Sequence, residues 1–192
     1  MKTGQLAELN DWIVRDVPAE LGEVKYIFIL ESPHKKELEN KCPAAGTAGK
    51  AMARFILGDK TAAFGKLIFD GKTGARYGIV NVCPVPMQAS AYAGLSAEQK
   101  VIVKELGRIR NPQLKNVDAG LYAEILENMT QRLTKAGSTA KLIPCGKFAR
   151  KALAAIRPGN PYDIPHPSFG NWHKKKYKAA MDLLKAELAT DR

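Results

Sequence analysis

The sequence predicts one α/β domain built on a mostly parallel β-sheet. Three observations lead there. Apolar, partly β-branched runs at 24–30, 77–82 and 141–145 are short and continuous, as strands covered on both faces are. Segments with helical spacing of apolar residues alternate with these runs, the pattern of a parallel sheet with crossover helices. The length of 192 residues, at roughly 150 per domain, gives one domain over 1–192 with room for a sizeable core.

The elements follow in order. Leu6, Leu9, Trp12 and Ile13 stand near helical spacing within 3–14, and Pro18 and Gly22 end that segment. The strand at 24–30 leads into a polar loop from Glu31 to about Ala45. A helix over 46–57 carries Met52, Phe55 and Ile56 on one side. Residues 58–76 read as turns with one apolar patch at Leu67 and Ile68. The strand at 77–82 runs into Cys83-Pro84-Val85-Pro86, which cannot continue a central strand. Ser96 and Gln99 form a capping box for a helix to about Ile109, before Asn111 and Pro112. Asp118 is placed to cap another helix through Leu133. After the run at 141–145, Gly146 opens a helix to Ile156 and 157–161 turns. Residues 162–164 read as a last short strand, and a basic amphipathic helix spans about 171–188.

Composition bounds the function. Thirty Lys and Arg against 19 Asp and Glu give a net charge of +11, compatible with a polyanionic partner, nucleic acid first. With 45% apolar and 26% charged residues the chain is globular rather than disordered. No apolar run approaches the roughly 20 residues that span a bilayer. The N-terminus lacks the apolar core of a signal peptide, so a soluble, cytoplasmic protein without membrane contact is expected. A monomer is expected too, although the sequence itself gives no oligomeric state. Cys42, Cys83 and Cys145 are odd in number and far apart, which argues against a disulfide framework. Adding His34, His166 and His173 yields no zinc spacing, so no metal is expected. Whether Cys145, at a helix start, is reactive stays open.

Ligands of a parallel sheet bind beyond the carboxyl ends of its strands. Four segments there carry chemistry. Glu31-Ser32-Pro33-His34-Lys35-Lys36-Glu37 follows a strand, and a carboxylate in it can orient or activate water; a solvated loop is the alternative. The segment 44–51, AAGTAGKA, looks close to a phosphate loop, but Ala44 replaces the first glycine and Ala51 the magnesium-binding hydroxyl. A helix start of this kind can hold a single phosphate, or can simply pack tightly against the sheet. Asn81 ends a strand with one acceptor and two donors in one plane, which suits a nucleobase edge or the local backbone. Pro165 and Pro167 bracket His166, with Phe169, Trp172 and Lys174, Lys175 and Lys176 beyond. Interleaved aromatic and basic residues suit single strands or flipped bases, or form a packed loop and a solvated helix face. No Gly-x-Ser-x-Gly elbow is present, which excludes that type of serine hydrolase.

Taken in order, LESPH, PAAGTAGKAM, GIVNVCPVP and PHPSFGNW, with LIPCGKFARKAL before the last, resemble the uracil-DNA glycosylase superfamily from about Val24 to Trp172. The resemblance implies a three-layer α/β/α sandwich around a four-stranded, mainly parallel sheet. It implies hydrolysis of the base–deoxyribose bond of uracil or a modified base flipped out of DNA, with no metal or other cofactor. By position, Asn81 reads the base edge and His166 stabilises negative charge on the base. Glu31 orients water, beside Ser32 and His34 in the base pocket. Ser168 and its loop hold a DNA phosphate, with Asn171, Lys174, Lys175, Lys35 and Lys50 on the DNA side. Phe169 or Trp172 fills the gap left by the flipped nucleotide.

The chain also departs from the pattern. Leu30 replaces the first glycine of the LESPH loop. Ser32 stands where some members have an aspartate, and His34 where tyrosine or glycine is usual. The base-stacking aromatic of the iron-sulfur members falls at Ala44, and their cysteine quartet is absent. A slow uracil enzyme or one selective for a bulkier base fits these changes. A binding module without catalysis, or a nucleotide or nucleoside N-glycosidase, are the alternatives.

Overall fold

The computed structural model describes residues 4–22, 24–111, 117–135 and 139–190. Residue 3, the start of the first segment above, and Pro112 lie outside them. Strand β1 (Tyr26–Leu30) is central, with β2 (Tyr77–Asn81) on one side and β3 (Lys141–Pro144) on the other, both parallel to it. The register pairs Leu30 with Asn81 and Ile29 with Pro144, so all three strands end at one edge of the sheet.

Every residue of β1 is buried, as a strand covered on both faces requires. Its side chains alternate. Ile27 and Ile29 join a core with α4 (Ala97–Arg110), α5 (Ala119–Leu133) and α6 (Lys147–Ile156). Tyr26, Phe28 and Leu30 join another with α2 (Thr47–Leu57), α3 (Phe64–Phe69) and α7 (Lys178–Ala189). The fold is thus α/β with an open parallel sheet, as the alternating pattern predicts.

The caps read from sequence form. The Gln99 amide N–H donates to Ser96 Oγ at 3.2 Å, while Gln99 Oε1 accepts from the Ser96 N–H at 2.9 Å. Asp118 Oδ1 accepts from the Leu121 N–H at 2.9 Å.

Five details differ from expectation. The fourth strand is a single parallel bridge, Ile164 to Cys145. Pro161 and Pro165 flank it and have no N–H, and Asn160 spends its side chain on Leu142 O and Tyr162 N, so no ladder can extend. The N-terminal segment is 3₁₀-helical over Gln5–Trp12. The basic C-terminal helix begins only at Lys178, since Phe169 and Gly170 are left-handed and 3₁₀ turns fill the stretch before it. A short helix, α1 (Lys35–Asn40), interrupts the loop after Glu31. The Glu37 carboxylate accepts from the His34 N–H at 3.0 Å and so closes its first turn. Helix α3 has six residues, too few to show a period.

Candidate functional site

The carboxyl ends of β1 and β2 and the chain after Ile164 enclose a cleft of about 1100 Å³. Glu31, Ser32, His34, Lys50, Asn81, His166, Ser168, Phe169 and Asn171 all line it. These come from four separate segments spread over some 140 positions of chain, and the parallel register brings their ends together.

Asn81 is the floor. It is 3% exposed, and its carboxamide enters no hydrogen bond with the described residues. Its backbone is held instead. Arg132 Nη2 donates to Asn81 O at 2.7 Å and to Val82 O at 3.0 Å. Arg132 is itself fixed by Asp16 at 2.7 Å and Asn128 at 2.8 Å. Burial pushes the Asp16 carboxyl above its ordinary range, outweighing the opposing pull of that guanidinium. The Asn81 amide atoms are not among the fully buried unpartnered ones, and they line the cleft, where a ligand can meet them.

His166 lines the same cleft. The Ser168 N–H donates to His166 Nδ1 at 3.2 Å, so in the neutral ring the proton sits on Nε2. Burial pushes the imidazole below its ordinary pKa; the Arg110 charge adds to this and Glu31 opposes it. The loop is tied down on both sides. Asn171 Nδ2 donates to His166 O at 3.0 Å, and Trp172 Nε1 donates to Pro165 O at 2.7 Å. Gly146, at φ +98°, makes room: a Cβ there would lie 3.0 Å from His166 Cβ.

Glu31 is ion-paired with Arg110, the last residue of α4. Nothing in the sequence spacing marks Arg110, because the pairing depends on where α4 ends in space. Lys36, from the segment after β1, and His173 also line the cleft, as do Arg54 and Lys60, which no motif above singles out. With Lys50 and Arg110 the lining holds five Lys and Arg against Glu31 and Glu37, a net positive wall. Glu31, Arg110 and His166 also border a second cavity of about 290 Å³, walled by Tyr122, Phe148 and Cys145.

Some expected residues are elsewhere. Trp172 is 3% exposed and packs on the rings of Phe28 and Phe55, at 6.3 and 5.3 Å between centroids. It belongs to the core and cannot enter a duplex; Phe169, 90% exposed, is the aromatic at the cleft. Ala44 is buried and does not line the cleft. Its backbone is left-handed at φ +48°, and its carbonyl lies 1.6 Å from where a Cβ on Gly49 would be. Gly49 is therefore demanded by tight packing, one of the alternatives read from AAGTAGKA. Lys35, Lys174 and Lys175 are exposed outside the lining, with Lys174 Nζ on Asn171 Oδ1 at 2.7 Å.

The thiols are buried and held protonated. Burial pushes Cys42 up to about 11, Cys83 to about 12 and Cys145 further, which favours the protonated thiol in all three. Among the described residues no group of three or more His, Cys, Asp and Glu side chains could hold a metal ion, and no helix is long and apolar enough to cross a membrane. Compared with known proteins, the chain matches no family model and no curated relative.

Proposed function

We propose that the protein is a DNA glycosylase that hydrolyses the bond between a flipped base and its deoxyribose, leaving an abasic site. One observation carries this reading: Asn81 and His166, whose Nδ1 is engaged by the Ser168 N–H, line one cleft with a positive wall at the carboxyl ends of a parallel sheet. Asn81 offers paired donor and acceptor groups to a base edge. Breaking the C–N bond leaves the sugar positive and the base negative. His166, neutral and donating from Nε2, stabilises the negative base; water adds to the anomeric carbon as the C–N bond breaks, and the proton it loses passes through solvent to the base anion. Glu31 lies beside that path, and Ser168, Lys50 and Arg54 are placed for phosphate. Phe169 stands at the rim as the residue that replaces the flipped nucleotide. We group the fold, on the same reading, with the four-stranded α/β/α sandwich of that superfamily, its fourth strand worn to the Ile164 bridge.

The test is a panel of duplex and single-stranded oligonucleotides, each with one modified base, followed by alkaline cleavage at abasic sites. Abasic product from at least one oligonucleotide is expected, and its loss in His166→Ala. Folded protein that yields no abasic product from any member sinks the reading. A second reading, a binding module without turnover, draws on one observation: Glu31 is engaged by Arg110 rather than left to water. It predicts tight, salt-dependent binding that Asn81→Ala and His166→Ala leave unchanged.

A further inference from the structure

We infer that the smaller cavity beside the cleft is a ligand site of its own, for a molecule of one aromatic ring and one anionic group, whose anion shares Arg110 with Glu31. The anion is a carboxylate or a phosphate, and binding here does not rest on the glycosylase reading. Glu31, Arg110 and His166 line both cavities, so a bound molecule meets the cleft through them.

The ring follows from the walls. Ligand pockets run from about 300 to 1,000 Å³, so a cavity of about 290 Å³ is the measure of one ring with one substituent. Ile109 is buried there, and Val117, Tyr122 and Phe148 are partly buried against the core of α4, α5 and α6. Tyr122 and Phe148 stand in the first turns of α5 and α6 and offer two aromatic surfaces to a planar guest. Among the described residues the larger cleft offers one Phe, Tyr or Trp, the 90% exposed Phe169, so an apolar ring is better covered here.

The negative charge follows from the rim. Arg110, Lys147 and Lys151 line the cavity against one carboxylate, Glu31, among the described residues. Lys147 and Lys151 are exposed and four residues apart on α6, so they share a face and repel, which an anion beside them relieves. Arg110 meets Glu31 through Nε, and its two terminal nitrogens enter no hydrogen bond with the described residues. A guanidinium has five N–H donors, so those nitrogens remain for a second anion. Glu31 and the bound anion then draw on one guanidinium, and by linkage each weakens the other's hold on it.

The experiment titrates the protein by calorimetry with benzoate and phenyl phosphate, with benzyl alcohol as the ring alone and inorganic phosphate as the anion alone. Expected is binding of benzoate or phenyl phosphate about tenfold tighter than of either partial probe, the tighter of the two identifying the anion. Lys147→Ala and Lys151→Ala, at exposed positions, should each weaken it about threefold. Glu31→Gln, folded by circular dichroism, should tighten it about threefold, because Arg110 is no longer shared. No binding of either ring-bearing anion at millimolar concentration overturns the inference. So does inorganic phosphate bound as tightly as phenyl phosphate, since the ring then adds nothing. Affinity unchanged or weakened in Glu31→Gln overturns the sharing of Arg110. Displacement of the bound anion by an unmodified oligonucleotide overturns the separate site, because the cavity then belongs to the DNA surface.

Discussion

Asn81 and His166 face one cleft, yet they are held in opposite ways. Asn81 ends a strand, and its place is set by the sheet register and by Arg132 gripping two carbonyls from behind. His166 sits on a loop with one bridge to the sheet, and its place is set by side chains tied to backbone: Asn171, Trp172, and the ring itself on the Ser168 N–H. The difference teaches where each half is fragile. The Asn81 side fails with the fold; the His166 side can loosen while the fold stands.

The largest effects test the two groups directly. His166→Ala should lower single-turnover excision by about 10²–10³-fold, the scale of one donor to a developing anion, with DNA affinity little changed. Asn81→Ala should lower it comparably and relax discrimination between bases, since an unpartnered amide tells edges apart. Equal loss of DNA binding in both variants would show that they build the surface rather than the chemistry.

Next comes the support behind each group. Arg132→Ala strips an ion pair and two carbonyl contacts and leaves Asp16 buried alone. It should cost about 2–4 kcal/mol in urea unfolding, scaled down from a fully buried pair because both partners keep some exposure. Asn171→Ala removes the hydrogen bond to His166 O, about 1 kcal/mol, together with an exposed one from Lys174. It should raise KM and speed amide exchange at 165–172 with little loss of global stability. If Asn171→Ala unfolded the protein as readily as Arg132→Ala, the contrast between strand and loop would be lost.

Two smaller effects sharpen the picture. Phe169→Ala should weaken DNA binding by roughly tenfold, within the 1–3 kcal/mol of one stacking contact, and leave stability within about 0.5 kcal/mol. The pH profile gives the sign for His166. Its folded pKa lies below the ordinary value, so the neutral ring and the stability tied to it are present above about pH 6.5. Both are lost as pH falls through the lowered value. A rate that declines as pH rises past 6.5 would contradict the neutral donor.

How much of this the sequence carried depends on whether a residue acts through its own type or through its place. Asn81, His166, Glu31, Ser168 and Phe169 were legible because a strand end or a proline bracket announces them. Arg110, Arg54 and Lys60 were not, because a helix brings them to the cleft by its length and direction, which no local motif encodes. Trp172 misled for the same reason: an aromatic beside lysines reads as surface, and only the packing of Phe28 and Phe55 puts it inside. Ala44 shows the limit of carrying a role by position, since its left-handed backbone turns the side chain into the core.

The short bridges at the margins of the sheet have a consequence for how the molecule behaves in company. On the outside of β2, Val17 exchanges both backbone hydrogen bonds with Ile79, at 3.1 and 2.7 Å. On the outside of β3, Asn160 covers the Leu142 carbonyl, Pro144 has no N–H to give, and Gly146 donates to Ile164 O at 2.8 Å. A stray extended chain therefore finds few vacant backbone groups on which to lengthen the sheet. The bridges are too short to count as strands, and they close the template on which aggregates grow.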